Sequence, residues 1–209
     1  MAVCNKKTGF IVFVVMCFLA HVHQAHLPSA TISDLTFKNM DFAMNLYRRI
    51  STYHDKNIIF SPLSISTSFA SLLLGSDGVT HEEILNALNL HQLEHADQPE
   101  LLPKLFQLLN ENVTLNGSLK LDQSMVLFMH THFEAEKVFE DEVKQFFEAD
   151  IKRVDFGDTK GAIGHINDYI KLKTHDKITN MISTLDPETR LMLINTIFFQ
   201  GALNPSCEI

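Results

Sequence analysis

Asn57-Ile-Ile-Phe-Ser61-Pro62-Leu-Ser64-Ile-Ser-Thr-Ser-Phe-Ala-Ser-Leu-Leu-Leu-Gly75 is the most constrained stretch of the 209-residue sequence. Ser61 before Pro62 reads as a helix N-cap with proline at the first helical position, where its missing N–H costs nothing. Gly75 fits the left-handed position just past the end. No residue between them is charged, and Ser64, Ser66, Thr67, Ser68, Ala70 and Ser71 alternate with Leu63, Ile65, Phe69, Leu72, Leu73 and Leu74. A helix with no polar face needs packing on every side. The uncharged run 58–76 is long enough for a membrane span. Its serines, threonine and proline argue instead for a buried central helix, as do the turn residues Ser76-Asp77-Gly78 that follow.

Working outward, the ends of the chain bound its class. Residues 1–25 carry Lys6-Lys7 and then an apolar core from Phe10 to Ala20, the pattern of a secretory signal peptide; Ala20 and Ala25 both stand as cleavage sites. About 185 residues remain, enough for one domain with a sizeable core. Residues 26–34 read as a flexible N-terminus. Once Cys4 and Cys17 leave with the leader, Cys207 is the one cysteine left, so no intrachain disulfide forms. That thiol either pairs with another chain or stays free. A formal charge of −8 without basic clusters excludes nucleic acid as a partner. Asn112-Val113-Thr114 and Asn116-Gly117-Ser118 are glycosylation sequons in a turn-rich stretch, as on a surface loop of a secreted protein.

Between these ends the periodicity alternates between helix and strand. Residues 37–51 place Met40, Ala43, Leu46 or Tyr47, and Ile50 on one helical face. Thr80 and Glu83 form a capping box ahead of Ile84, Leu85 and Leu88. Leu101, Leu105, Leu108 and Leu109 mark another helix, whose regular part is expected to begin at Pro103. Residues 119–129 alternate as a strand. Residues 134–147 return to helical period, 151–156 form a short strand, and Thr159 caps a helix bearing Ala162, Ile163, Ile166, Tyr169 and Ile170. Gly161 and Gly164 weaken that helix by roughly 1 kcal/mol each relative to alanine. The run 191–199 is apolar almost throughout, as in a strand buried on both faces. Helices early, strands later and no repeating unit indicate α+β.

Catalytic signatures are missing from this pattern. The sequence has no Gly-x-Ser-x-Gly turn and no Gly-x-x-x-x-Gly-Lys loop. Eleven histidines invite a metal reading, but His91/His95 and His130/His132 lack a third ligand at local spacing. No carboxylate pair sits in an apolar context that would raise a pKa for acid–base work. The expectation is a protein that is not an enzyme and uses neither metal nor cofactor.

The stretch that opens this section resembles a signature helix of the serpin superfamily. Further motifs similar to serpin landmarks follow in family order: Thr80-His81-Glu82-Glu83-Ile84-Leu85, Val154-Asp155-Phe156, Ile166-Asn167-Asp168-Tyr169-Ile170 and Asn195-Thr196-Ile197-Phe198-Phe199-Gln200-Gly201. The resemblance covers about 35–201. It implies an incomplete serpin fold, with helices like A–F of the family packed on part of a central, mainly antiparallel sheet. Residues 119–129 resemble strand two, 151–156 strand one, 191–199 strand three, and 159–171 the helix that crosses the sheet. Family members are suicide inhibitors, mostly of serine proteases, whose cleaved reactive loop inserts as a new strand. Ser61, Pro62, Ser64 and Asn195 match the shutter region that controls opening of that sheet. Met125 stands where many members carry asparagine.

Within the family, residues 50–55, 100–106 and 186–191 look like the branch that works with protein Z in coagulation. Asp55 stands where that branch is expected to touch protein Z. A heparin site is not implied, because the helix near 101–110 offers only Lys104. After Gly201 the resemblance breaks, and 202–209 read as a divergent tail. These features imply a secreted protein in truncated form, without reactive loop, that cannot trap a protease by itself. An alternative is a non-inhibitory secreted binding or decoy protein built on the helical half. The open edge of strand 191–199 is an aggregation hazard, so self-association or retention in the endoplasmic reticulum is expected.

Overall fold

A computed structural model of the chain describes residues 30–53, 55–114 and 119–201. The leader, Asn116, Cys207 and the tail 202–209 lie outside them. Among the described residues nine elements follow in order: α1 Ile32–Ser51, α2 Pro62–Leu73, α3 Gly78–Leu88, α4 Leu101–Thr114, β1 Leu119–His130, α5 Lys137–Phe147, β2 Asp150–Val154, α6 Thr159–Lys173 and β3 Leu191–Gly201. The α+β expectation holds.

Helix α1 begins five residues before the expected start, inside the stretch read as flexible, because Thr31 and Asp34 form a reciprocal cap. Thr31 N–H donates to Asp34 Oδ2 at 2.8 Å, and Asp34 N–H donates to Thr31 Oγ1 at 3.3 Å. The Thr31 hydroxyl also donates to Asp34 Oδ2, at 2.7 Å, and this bond first, then that from the Thr31 N–H, holds the Asp34 carboxyl below its ordinary range. Of the two alternatives for the inward face, Leu46 turns in and Tyr47 out; Met40, expected inside, is also exposed.

Helix α2 is capped as its sequence dictates, with Ser61 at the N-cap and Pro62 in the first turn. Gly75 is not left-handed, however; among the described residues the positive-φ glycine is Gly78. Gly75 is needed for space instead, since a Cβ there would lie 2.8 Å from the Phe139 ring. Helix α3 starts at Gly78 and takes Asp77 as its cap, so the Thr80–Glu83 box falls within the helix. Helix α4 tolerates Pro103 because the first turn has no carbonyl partner for that N–H. Its last turn includes Asn112, which is exposed; the first sequon therefore lies on a helix end and not in a loop.

Three strands make a mixed sheet ordered β2-β1-β3. β1 and β3 pair antiparallel from Leu119↔Gly201 to Met129↔Leu191, while β2 runs parallel to β1 only along Val126–His130. Helix α6 covers one face. Asp158, one residue before the expected cap, accepts from the Gly161 N–H at 3.1 Å. A Cβ on Gly161 would come within 2.3 Å of that carboxylate, which explains a glycine in the first turn. Beneath α6, Val126, Phe128, Val154, Phe156, Ala162, Ile166, Tyr169 and Ile170 form a buried core. The other face of the sheet meets α2, α4 and α5. β3 is not buried on both faces: Thr196 is its buried residue, and Phe199 is 60 % exposed. Its outer edge has no partner strand among the described residues. None of the described helices is long and apolar enough to cross a membrane.

Candidate functional site

The four residues matched to the shutter region come together where α2 meets β3. Ser61 Oγ and Ser64 Oγ lie 3.0 Å apart, and the Ser64 N–H points at Ser61 Oγ at 3.4 Å. The Ser64 carbonyl accepts from Ser68 Oγ at 2.8 Å and from Asn195 Nδ2 at 3.3 Å. One side-chain amide thus ties the first turn of α2 to the middle of β3, across 131 residues of sequence. Pro62 fixes the backbone at the start of that turn. Farther along α2, Ser66 and Ser71 donate to the Leu63 and Ser68 carbonyls, so their burial costs little.

This crossing also holds two polar atoms that the sequence did not single out as a pair. Thr67 Oγ1 and Asn195 Oδ1 are buried and have no hydrogen-bond partner among the described residues. Met125 is the β1 partner of Asn195 and is itself buried, so a thioether faces the amide. Beside that thioether the Asn195 carbonyl oxygen is orphaned among the described residues. Thr67 looks in sequence like any buried small residue of α2. Only its place against β1 and β3 shows that its hydroxyl lacks a partner.

On the opposite face, Tyr169 organises the polar groups. Its hydroxyl lies 2.6 Å from Ser124 Oγ and donates to Asp150 Oδ2 at 3.0 Å. Burial pushes this phenol up to about 12; the Ser124 bond opposes the shift, and Asp150 adds to it. Lys152 and Lys173 stand over the ring, and Phe128 meets it edge to face at 5.8 Å. Beyond the helix end, His175 bonds to Asp122 at 2.7 Å and so fastens the end of α6 to β1.

Other residues read from the sequence lie apart from the crossing. Asp55 is exposed in the link between α1 and α2. His91 bonds Asn86 at 2.9 Å, and His130 packs 5.6 Å from His132, ring to ring. Among the described residues, no group of three or more His, Cys, Asp and Glu could hold a metal ion.

Comparison with known proteins sets this geometry in context. The family model described as Serpin (serine protease inhibitor) matches residues 37–206. Mouse protein Z-dependent protease inhibitor is 35 % identical over 167 residues, covering 80 % of this chain and 37 % of its own. Bovine corticosteroid-binding globulin is 36 % identical over 171 residues, covering 80 % of this chain and 42 % of its own. The crystal structure of the mouse inhibitor superposes with a TM-score of 0.74 at 34 % identity, covering 81 % of this chain and 45 % of that one. The chain therefore spans less than half the length of these relatives. With the family model matched over most of its length and a partial serpin fold in its structure, the chain belongs to the serpin family.

Proposed function

We propose that the protein carrying this chain is a secreted inhibitor of serine proteases, of the protein Z-dependent kind used in coagulation. The observation that carries this reading is the Ser61–Ser64–Asn195 crossing, which ties α2 to the strand that an inserting loop must part from its neighbour. Ser61, Pro62, Ser64 and Asn195 act there as a latch on the sheet and take no catalytic part. Asp55, exposed between α1 and α2, is the proposed contact for protein Z. Asn112 and Asn116 carry glycans in the secreted form, after loss of a leader within residues 1–25.

Residues 1–209 taken by themselves are proposed not to inhibit. Insertion needs a loop and a gap between two strands, and the outer edge of β3 faces no strand among the described residues. That edge, with Phe199 exposed, favours self-association and retention in the secretory pathway. A second reading, a non-inhibitory binding or decoy protein, draws on the similarity to corticosteroid-binding globulin. Incubation with secreted serine proteases of the coagulation system, with and without protein Z, separates the two. A detergent-stable covalent complex formed by residues 1–209 alone would overturn the non-inhibitory part. Its absence with a chain of the relatives' full length would overturn inhibition.

A further inference from the structure

A cleft of about 640 Å³ opens beside β1, where that strand runs on past the start of β2. Along Leu121–Met125 the edge of β1 away from β3 has no strand neighbour among the described residues. The cleft has three chemically distinct zones. Its depth holds the two orphaned atoms, Thr67 Oγ1 and Asn195 Oδ1; Thr67 is only 4 % exposed. Its walls include Met125, Phe146 and Phe147, all buried apolar side chains. Its rim carries Glu111 on α4 and Glu148 just past α5, exposed carboxylates that enter no ion pair among the described residues.

The other charges at the rim are already engaged. Asp150 bonds the Tyr169 hydroxyl and lies 3.5 Å from Lys173, and Asp122 bonds His175. Among the described residues, what remains is an unbalanced negative rim above an apolar wall, with an acceptor and a hydroxyl unsatisfied at the bottom. We propose that this cleft binds an amphipathic amine carrying a second hydrogen-bond donor at its far end. The ammonium meets Glu111 and Glu148, the body packs on Met125, Phe146 and Phe147, and the far donor reaches Asn195 Oδ1. Thr67 Oγ1 then takes whichever role the ligand leaves, since a hydroxyl both donates and accepts. An anionic ligand is disfavoured by the same rim. The site shares Asn195 with the proposed latch, but its evidence is the cleft itself and does not rest on protease trapping.

Tyramine is a probe with both ends, tested by calorimetric titration of the purified chain at neutral pH. Phenethylamine lacks the hydroxyl, 4-ethylphenol lacks the amine, and 3-(4-hydroxyphenyl)propionate reverses the charge. Tyramine is expected to saturate in the submillimolar range, as its few heavy atoms allow. Loss of either end weakens binding by about tenfold, the value of one charge-assisted or buried hydrogen bond. Thr67→Val weakens tyramine about fivefold and leaves phenethylamine unchanged. Glu111→Gln with Glu148→Gln weakens both amines and spares 4-ethylphenol. The proposal falls if a cooperatively unfolding chain shows no saturable tyramine binding. It falls equally if the propionate binds as well as the amine, or if Thr67→Val changes nothing.

Discussion

The two faces of the sheet solve the same problem differently. Under α6, apolar residues of β1, β2 and the helix fill the space, and the one large polar group, Tyr169, has its hydroxyl bound by Ser124 and Asp150. Under α2, small residues bring the helix close, but among the described residues Thr67 Oγ1 and Asn195 Oδ1 are left without partners, and a cleft opens beside them. The difference rests on residue choice along β1. Ser124, Val126 and Phe128 face α6, whereas Met125 faces the Asn195 amide and can give it no hydrogen bond. The lesson is that the α6 face is built for rigidity, while the α2 face keeps unsatisfied polar groups where the sheet is joined to its central helix.

The largest effect should separate the faces outright. Phe128→Ala removes a fully buried ring and should cost about 3–5 kcal/mol, a large share of what a domain this size holds. Met125→Ala should cost only about 2 kcal/mol, the low end for such a truncation, because its space merges with an existing cleft. Urea unfolding of the two variants tests this. Equal losses would mean the α2 face is packed as tightly as the other.

Tyr169→Phe comes next. It leaves Ser124 and Asp150 short of a partner and should cost about 1–3 kcal/mol. It also has a pH signature. The folded phenol is raised to about 12 against an ordinary value of 10.0, so folding favours the protonated form. That contribution is fully present below pH 10 and is lost as pH rises from 10 to 12. Wild-type stability should therefore fall across that window more steeply than that of Tyr169→Phe. Parallel alkaline profiles would show that the phenol is not held protonated.

Much of this contrast was legible in the residues. The Ser61-Pro62 start of α2, the β1 and β3 runs and the inward residues of α6 all follow from local pattern, as caps and periodicity depend on neighbours in the chain. Where local pattern misled, space or a competing cap decided. Gly75 is small because Phe139 is close, and Asp77 and Asp158 reach their helix starts before Thr80 and Thr159 can. The motif match grouped Ser61, Ser64 and Asn195, and in the structure a bond joins Asn195 to the Ser64 carbonyl. Thr67, Glu111 and Glu148 were not legible, because a missing partner is a property of three elements at once. No periodicity encodes it.

The smallest effect is the most informative about the α2 face. Thr67→Val keeps the shape of the side chain and replaces the orphaned hydroxyl with a methyl group. Wherever a buried hydroxyl forms a hydrogen bond, this change costs stability; where it forms none, the change removes a desolvation penalty. The expected result is a gain of about 1 kcal/mol, or a rise in melting midpoint of about 2–4 °C for a domain of this size. Asn195→Ala should go the other way, since it also breaks the Nδ2 bond to the Ser64 carbonyl that joins β3 to α2. Opposite signs at two neighbouring residues would locate the unsatisfied group at Thr67 and the structural tie at Asn195. A loss of stability in Thr67→Val would mean its hydroxyl is bonded in solution, and the contrast between the two faces would then be one of volume alone.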